Sequence, residues 1–408
     1  MEVYKDELEM YKRRYFQNNP TSTKEEESLA VIRKAEEYIQ NTLPSLVNQN
    51  RAYDTNQKAF LLSEAGKLYN VLEEYSETAE KMLSKAVRMN PKNADTWHEL
   101  GQCVMKRLDL EFAQSCFTIA LGITRTAPIL TSLAVAMRLV ALDHPEPAQT
   151  EMRTRAMELI IEARRLDPSH GPANIAFATG LFYAFFSTAK VELQYLDKVV
   201  ENYQKAATSS NSELSRTDPQ VYINMATCLK FMEKYDEALE SLEKAAEYDG
   251  RNELETREKL EAFVKYLVKF TDCVGKKGRM KPKRLIEMVN ELKKSGGASD
   301  GFRLKIIGSV GHDETIPVAL VGVDATGDVY GITIYNCLSN FGFVIGDTVT
   351  IARPDFREIK NLRIPSDPPN HVDSLKWIRV ATPTQIKKNG VPLPESVLAR
   401  AIASTQTK

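Results

Sequence analysis

The sequence predicts a chain of two parts, an α-helical solenoid of repeated helix pairs followed by a small closed β-barrel. Three observations support this prediction. A pattern of small and large apolar residues recurs five times between residues 56 and 251. A run of basic residues follows Cys273, and the hydrophobic periodicity changes from helical to alternating at Phe302. The chain is therefore expected to be α-helical first and β-stranded afterwards.

The composition is that of an ordinary globular protein. The 408 residues include 54 Lys and Arg against 55 Asp and Glu, with 43% hydrophobic and 27% charged residues. This length suits two or three domains, and the near-neutral total argues against a protein that coats nucleic acid with its whole surface. The five cysteines are widely spaced, which is typical of packed thiols in a reducing compartment. The N-terminus shows no signal-peptide core.

Each repeat predicts a pair of antiparallel helices. The clearest repeat begins at Trp97, with Leu100 and Gly101 in its first helix and Ala113 and Phe117 in its second. This spacing matches the tetratricopeptide pattern, in which small residues stand where the helices approach and large ones fill the space between turns. The other repeats carry the same pattern at 62–86, 130–163, 176–206 and 222–245. Five repeats exceed the roughly three that stack into an independent solenoid.

Residues 171–189 carry no charge and raise the question of a membrane span. Glycine, proline, asparagine, threonine and serine interrupt the apolar run, and a span needs about 20 mostly apolar residues. The repeat register instead makes this stretch the first helix of a repeat, where burial explains its composition. We therefore expect no membrane partner.

Five strand-like runs follow the basic segment, starting at residues 302, 317, 328, 347 and 374. They are rich in β-branched and aromatic residues and are separated by Gly, Asp and Pro. Five short strands favour an OB-fold-like barrel over an immunoglobulin-like sandwich, which needs about seven. Residues 301–408 hold 12 Lys and Arg against 10 Asp and Glu, so no strongly positive groove is expected. Protein docking is favoured for the barrel, with nucleic-acid binding as the alternative.

These patterns divide the chain into six predicted segments. They are an N-terminal helical cap (1–55), tetratricopeptide repeats (56–251), a capping helix (252–274), a basic segment with a helix and linker (275–300), an OB-fold-like domain (301–385) and a C-terminal tail (386–408). Capping helices are expected because the end of a solenoid would otherwise expose apolar surface.

The sequence shows no recognisable catalytic or metal-binding motif. Phosphate-binding loops, dinucleotide-binding glycines, nucleophile elbows and zinc-protease helices are absent. The five histidines are scattered without metal-ligand spacing. We therefore expect a binding module rather than an enzyme, with no cofactor and no metal.

The first helices of such repeats line a concave groove. With Trp97 counted as position 4, the inward positions are about 2, 5, 9 and 12. Arg138, Phe177 and Gln220 fall at such positions, and Glu253 adds an acid at the start of the capping helix. This set suits a short peptide with an apolar anchor and charges of both signs. For Arg138 the alternative is an intramolecular salt bridge.

The basic segment concentrates six cations without an intervening acid. They are Lys276, Lys277, Arg279, Lys281, Lys283 and Arg284. In a chain that is otherwise balanced, this local positive field predicts binding to the phosphates of a nucleic acid. A solvated linker and a nuclear import signal are the alternatives.

Four segments of the chain, in this order, resemble those of one known family. They are INMATCLKFMEKYDEAL in the last repeat, KPKRL in the basic segment, and YNCLSNFGFVIGDTVTIARPDFREIKNL and IRVATPTQIKKNGVPL in the barrel. Together they are similar to the tetratricopeptide repeat protein 5 (Strap, stress-responsive activator) family over nearly the whole chain.

The resemblance implies a dual scaffold in the cytoplasm and the nucleus. One role is recognition of the N-terminal Met-Arg-Glu peptide of nascent tubulin on the ribosome, which triggers decay of tubulin mRNA through further recruited factors. The other role is stress-responsive transcription, in which the protein bridges an acetyltransferase coactivator and its partners.

The resemblance also implies roles for individual residues. Arg138 would pair with the glutamate of the peptide, and Glu253 would supply an acid for its arginine. A second groove acid falls at Gln220, or at Asp218 if the local Asp-Pro order is swapped. Asn224 is included as a further polar contact. The six cations would contact the ribosome through its RNA phosphates, with Lys281 and Lys283 matching the family's basic segment.

Overall fold

The computed structural model describes residues 2–19, 21–42, 54–186, 192–209, 213–294, 301–311, 317–338 and 341–398. The chain divides into two compact units, one formed by Met1–Gly180 with Glu201–Val221 and the other by Leu181–Val200 with Tyr222–Lys408. Residues 187–191 within the repeat at 176–206, most of the predicted linker and the end of the predicted tail lie outside the described residues.

Helices dominate the described part of the chain as far as Lys294. The N-terminal pair is α1 (Glu2–Asn18) and α2 (Lys24–Thr42). The repeat region holds α3 (Thr55–Tyr69), α4 (Glu77–Met89), α5 (Ala94–Met105), α6 (Leu110–Ile123), α7 (Ala127–Val140), α8 (Ala148–Leu166), α9 (Gly171–Phe186), α10 (Gln194–Ala207), α11 (Glu213–Arg216), α12 (Pro219–Met232) and α13 (Tyr235–Tyr248). Two further helices, α14 (Thr256–Gly275) and α15 (Pro282–Lys294), precede the barrel. The five predicted repeat pairs are confirmed, with the short α11 inserted before the last pair.

Side chains at the helix starts explain why the repeats begin where they do. Asp54 accepts a hydrogen bond from the backbone N–H of Gln57 at 2.8 Å, and the Gln57 side chain accepts one from the Asp54 N–H. Asn93 caps α5 and Asp109 caps α6 by accepting from backbone N–H groups three residues later. Each cap satisfies donors that a helix terminus would otherwise leave unpaired.

Close helix approach within a repeat depends on glycine. A Cβ atom added at Gly101 of α5 would lie 2.5 Å from the ring of Phe117 on α6, and one at Gly66 would lie 2.7 Å from Leu83. Both large partners are completely buried. The structure therefore confirms the predicted packing of small residues on one helix against large residues on its partner helix.

Gly101→Ala is expected to lower the free energy of unfolding of the first unit by about 1–3 kcal/mol. The added methyl group overpacks against Phe117. This destabilises the folded state by more than the higher helix propensity of alanine stabilises it. The denaturation midpoint, followed by the fluorescence of Trp97, measures this change. Gly122→Ala on α6 is the control, because its new Cβ meets no atom within 4 Å. Equal behaviour of the two variants would refute the packing argument.

The uncharged stretch forms the helix α9 and takes part in the repeat packing. Ala173, Asn174 and Ala178 are buried, as are Phe182 and Phe185. Burial on several sides explains why α9 lacks a charged face. Within the described residues, no helix has both the length and the apolar character needed to cross a membrane.

Eight strands form the C-terminal sheet. They are β1 (Phe302–Val310), β2 (Val318–Val323), β3 (Val329–Ile334), β4 (Thr348–Ile351), β5 (Asp355–Ile364), β6 (Asn370–Val380), β7 (Ile386–Lys388) and β8 (Val391–Pro392). Their order is β5-β6-β3-β2-β1-β4-β7-β8, with β3 and β6 parallel and the other pairs antiparallel. Residues 352–354 join β4 to β5, which lies at the far edge of the sheet.

Three of these strands were not predicted from the sequence. The five predicted runs correspond to β1–β4 and β6. β5 was missed because most of its side chains are polar and exposed, so it lacks a clean alternating pattern. β7 and β8 lie beyond residue 385, where the sequence analysis placed the start of the tail. The chain remains attached to the barrel further still, because Leu338 donates a backbone hydrogen bond to Val397 at 2.9 Å.

Within the second unit, a buried glutamate joins the last repeat to the barrel. Glu233 lies in the turn between α12 and α13 with a left-handed backbone, φ 63°. Its Oε1 accepts hydrogen bonds from Thr333 Oγ1 at 2.5 Å and Tyr335 OH at 3.2 Å, and its Oε2 accepts one from Trp377 Nε1 at 2.9 Å. Arg379 Nη1 lies 3.6 Å from Glu233 Oε1. This cluster fixes β3 and β6 against the repeat, and no sequence pattern predicted it.

Candidate functional site

Arg138 lies in the last turn of α7 and is half-buried. Its Nη1 donates a hydrogen bond to the carbonyl of Ala176 on α9 at 3.1 Å. This bond helps to orient the guanidinium. The bond also brings Arg138 next to the residue that precedes Phe177, the second predicted groove residue. These two side chains therefore belong to adjacent first helices, as predicted.

Phe177 is partly covered by a cation that the sequence analysis missed. The guanidinium of Arg164 lies over the Phe177 ring, 4.1 Å from its centroid. Arg164 also donates to Asn174 Oδ1 at 2.9 Å and to Asn202 Oδ1 at 2.5 Å. Burial lowers the pKa of Arg164 from its ordinary value. Because Arg164 lies on the second helix of its repeat, counting inward positions on first helices could not identify it.

Asp218 is the acid that immediately precedes α12, and Gln220 is the second residue of that helix. Asp218 Oδ1 accepts a hydrogen bond from the Gln220 backbone N–H at 2.9 Å. Burial raises the pKa of Asp218, and the positive charge of Arg13 opposes that shift. Both Asp218 and Gln220 are half-buried. Arg13 belongs to the N-terminal helix α1, which the sequence analysis treated only as a cap.

Asn224 and Glu253, the remaining predicted groove residues, belong to the second unit. Asn224 of α12 is buried with 5% exposure, which leaves little surface for a ligand. Glu253 is exposed and forms an ion pair with Arg251 at 2.9 Å. Its turn is fixed by Asp249, which accepts backbone hydrogen bonds from Glu253 and Leu254, each at 3.0 Å. Glu253 is therefore an accessible carboxylate on a well-held turn.

Three of the six cations in the basic segment pair with nearby acids. Lys276 and Arg279 contact the Asp272 carboxylate at 2.5 and 2.9 Å, and Arg284 contacts Glu287 at 3.3 Å. Hydrogen bonds from Lys276 and Arg279 lower the pKa of Asp272. These pairs are largely exposed and reduce the positive field only locally.

Lys277, Lys281 and Lys283 carry the uncompensated charge of this segment. All three are exposed, and none forms an ion pair with any residue the structure describes. Lys281 and Lys283 flank the first residue of α15, where the helix dipole adds to the positive potential. Glu291 of α15 pairs with Lys305 of β1 at 3.1 Å, which ties the helix to the barrel. The cations are thus presented from a fixed helix end.

Burial shifts the pKa of a histidine and of thiols in the described part of the chain. No group of three or more His, Cys, Asp or Glu side chains there could hold a metal ion. Burial lowers the pKa of His98 to about 4, and its Nε2 lies 2.8 Å from Ser132 Oγ. Burial raises the pKa of Cys103 and of Cys337 to about 11, which is typical of packed and unreactive thiols.

Comparison with known proteins gives matches along nearly the whole chain. Residues 279–402 match the family model described as the tetratricopeptide repeat protein 5 OB fold domain. Human tetratricopeptide repeat protein 5 is 27% identical over 389 residues, covering 86% of this chain and 84% of the human protein. The bovine protein of that name is 26% identical over 408 residues, covering 91% of this chain and 88% of its own. A thermophilic TPR protein of Thermus thermophilus covers 52% of this chain and 99% of its own, with 17% identity and a TM-score of 0.38.

The fold and these similarities define a tetratricopeptide-repeat protein of the protein-interaction class with a C-terminal OB-fold domain. The resemblance to tetratricopeptide repeat protein 5 is confirmed from the repeats through the barrel.

Proposed function

We propose that this protein is a non-enzymatic adaptor that recognises the N-terminal Met-Arg-Glu peptide of nascent tubulin at the ribosome and promotes decay of tubulin mRNA. In this proposal the repeats bind the peptide, the basic segment docks on ribosomal RNA, and the barrel recruits mRNA-decay factors. The observation that carries it is the Arg138 guanidinium, oriented by the Ala176 carbonyl, in a chain similar to tetratricopeptide repeat protein 5 over most of its length.

The charges suit a peptide that presents an arginine followed by a glutamate. Arg138 supplies a guanidinium, whose paired donors match the geometry of a carboxylate. Asp218, in the same unit as Arg138, supplies a carboxylate for the arginine of the peptide. Charge-assisted hydrogen bonds of this kind are stronger than neutral ones, so the order of the two charges sets the specificity.

Titration of the purified chain with labelled Met-Arg-Glu-Ile bearing a free N-terminus tests peptide recognition. The matched control is Met-Glu-Arg-Ile, which has the same composition and net charge. The proposal predicts saturable binding of the first peptide and much weaker binding of the second. Equal affinity for both peptides, or no binding of either, would overturn the tubulin assignment.

Charge reversal at the start of α15 is expected to release the protein from ribosomes. Lys281→Glu combined with Lys283→Glu removes two phosphate-binding cations, so co-sedimentation with ribosomes falls. The slope of log affinity against log salt also drops by about 2, roughly one for each lost phosphate contact. Folding is expected to persist, because acids are favourable at a helix N-terminus.

Lys293→Glu combined with Lys294→Glu is the control for ribosome binding. It changes the same net charge at the other end of α15, where both lysines are exposed. Retained co-sedimentation in this control is expected. If the two double variants lose ribosome binding equally, the contact is a non-specific effect of net charge.

A second candidate function is a scaffold for stress-responsive transcription that bridges an acetyltransferase coactivator complex in the nucleus. The exposed Lys277, Lys281 and Lys283 favour it independently, because an accessible basic run also suits a nuclear import signal. We propose residence in both the cytoplasm and the nucleus. Exclusive nuclear residence of the tagged chain, without ribosome co-sedimentation, would favour this second function over the first.

A further inference from the structure

The outer surface of α6 differs from that of other second helices in the repeats. Charged residues dominate the exposed positions of α4, which are Glu77, Thr78, Lys81, Lys85 and Arg88. Every exposed residue of α13 is charged, namely Asp236, Glu237, Glu240, Glu243, Lys244 and Glu247. Charged side chains are expected where a helix faces water. On α6, Glu111 is the single charged residue among the exposed positions.

The other exposed residues of this helix form a surface that we call the α6 face. They are Phe112, Ser115, Thr118, Ile119, Gly122 and Ile123. Phe112, Ile119 and Ile123 are 38%, 43% and 40% exposed, and their spacing places them on one side of the helix. A Cβ atom added at Gly122 would meet no atom within 4 Å, so the space in front of the backbone there is open.

The α6 face can be covered without leaving its hydroxyl groups unpaired. Ser115 Oγ donates a hydrogen bond to the backbone carbonyl of Glu111 at 2.9 Å, and Thr118 Oγ1 donates one to the carbonyl of Gln114 at 2.8 Å. Because both donors are satisfied within the helix, an apolar surface placed over them incurs no penalty for a lost donor. Removal of the exposed apolar side chains from water would favour such a contact.

The order of residues along α6 makes this face complementary to a second copy of itself. When two copies pack antiparallel with Ser115 opposite Gly122 of the second copy, small residues meet and the backbones can approach closely. In the same register, Phe112 lies next to Ile123 of the second copy. Ile119 then lies beside the two-fold axis, next to Ile119 of the second copy. Apolar residues therefore meet apolar residues along the whole face.

This antiparallel register also matches the charges at the two ends of the face. It places Glu111, at the start of α6, opposite Arg125 of the second copy, just after the helix ends. Arg125 already donates from Nε and Nη2 to the Glu162 carboxylate at 2.9 and 2.7 Å. A guanidinium has five N–H donors, so Arg125 can hold a second carboxylate as well. A parallel pair would instead bring Glu111 next to Glu111 of the second copy, which like-charge repulsion disfavours.

We propose that the α6 face is a homodimer interface, in which two copies of this chain pack their α6 helices antiparallel about a two-fold axis near Ile119. Such a contact uses the same surface on both copies, so it closes into a dimer. A helix of this length is about 21 Å long. The contact is therefore smaller than the ~800 Å² per partner of a standard interface, and the dimer is expected to be reversible. This inference does not depend on peptide or ribosome binding.

Sedimentation equilibrium of the full-length chain, from micromolar to millimolar concentration, tests dimer formation. The unmodified chain is expected to associate reversibly. Ile119→Glu places two carboxylates beside the axis and should weaken the association about tenfold or more. Ile286→Glu is the matched control, because Ile286 is an exposed isoleucine of α15, outside the α6 face, and it should leave association unchanged. A monomer at every concentration would overturn the inference and favour a helix of another protein as the occupant. Equal association of Ile119→Glu and the unmodified chain would overturn it too.

Disulfide cross-linking tests the register and does not rely on Ile119→Glu. A Cys273→Ser background removes the half-buried thiol, and the other four cysteines are buried. Ser115→Cys chains mixed with Gly122→Cys chains of a different size should form a mixed disulfide dimer on oxidation. Ser115→Cys chains alone should not cross-link efficiently. A preference for Ser115→Cys with itself, or no cross-link in the mixture, would contradict the antiparallel interface.

Discussion

Glu233→Ala is expected to lower the free energy of unfolding of the second unit by about 3–5 kcal/mol, as for other buried ion pairs that lose one partner. The substitution removes the acceptor for Thr333, Tyr335 and Trp377 and leaves the Arg379 charge without its carboxylate. Alanine would have to keep the left-handed backbone of Glu233, which is strained for a residue other than glycine. It would have no side-chain contacts to offset that strain.

Tryptophan fluorescence can follow this loss in the second unit alone. The chain has two tryptophans, so a Trp97→Phe background leaves Trp377 as the reporter inside the Glu233 cluster. Glu240→Ala, at an exposed position of α13, is the matched control and should shift the denaturation midpoint little. Glu233→Gln should be intermediate, because it keeps an acceptor oxygen but loses the charge. Similar midpoints for Glu233→Ala and Glu240→Ala would contradict the importance of the cluster.

Arg138→Ala is expected to weaken binding of Met-Arg-Glu-Ile by about 1.5–3 kcal/mol, roughly ten- to a hundredfold in affinity. The loss arises because the glutamate of the peptide would be desolvated in the groove without a guanidinium to receive it. Fluorescence titration with the labelled peptide measures it directly.

Two variants isolate the role of the Arg138 guanidinium. Arg165→Ala removes an exposed arginine from α8 and should leave peptide affinity unchanged. Arg138→Lys retains the charge but not the planar donor pair, so its loss should be smaller than that of alanine. Unchanged affinity in Arg138→Ala, with the fold intact by circular dichroism, would remove Arg138 from the peptide site.

The repeats could be predicted because their determinants are local. Gly101 and Phe117 are separated by a short stretch of sequence, and the steric fit between them is what the repeat pattern encodes. The Glu233 cluster could not be predicted in the same way. Its partners on the barrel are about a hundred residues or more away in sequence, so a glutamate in a polar turn gives no local sign of burial.

The repeat spacing predicted the helices that carry some of the candidate groove residues, but not all of them. Inward spacing placed Arg138 and Phe177 on adjacent first helices, which is where the structure has them. The same spacing could not reveal Arg164, which comes from a second helix, nor Arg13, which reaches Thr217 from the N-terminal helix. Side chains that arrive from sequence-distant elements depend on how the repeats stack, which no single repeat encodes.

The most direct test of the central claim uses ribosomes that display a nascent chain. Ribosomes stalled with Met-Arg-Glu-Ile at the exposed N-terminus are compared with ribosomes that carry Met-Glu-Arg-Ile on an otherwise identical chain. We expect the protein to co-sediment preferentially with the first set, with the preference lost in Arg138→Ala and overall binding reduced by Lys281→Glu with Lys283→Glu. Equal co-sedimentation with both sets, unaffected by Arg138→Ala, would show that the repeats do not recognise this nascent peptide.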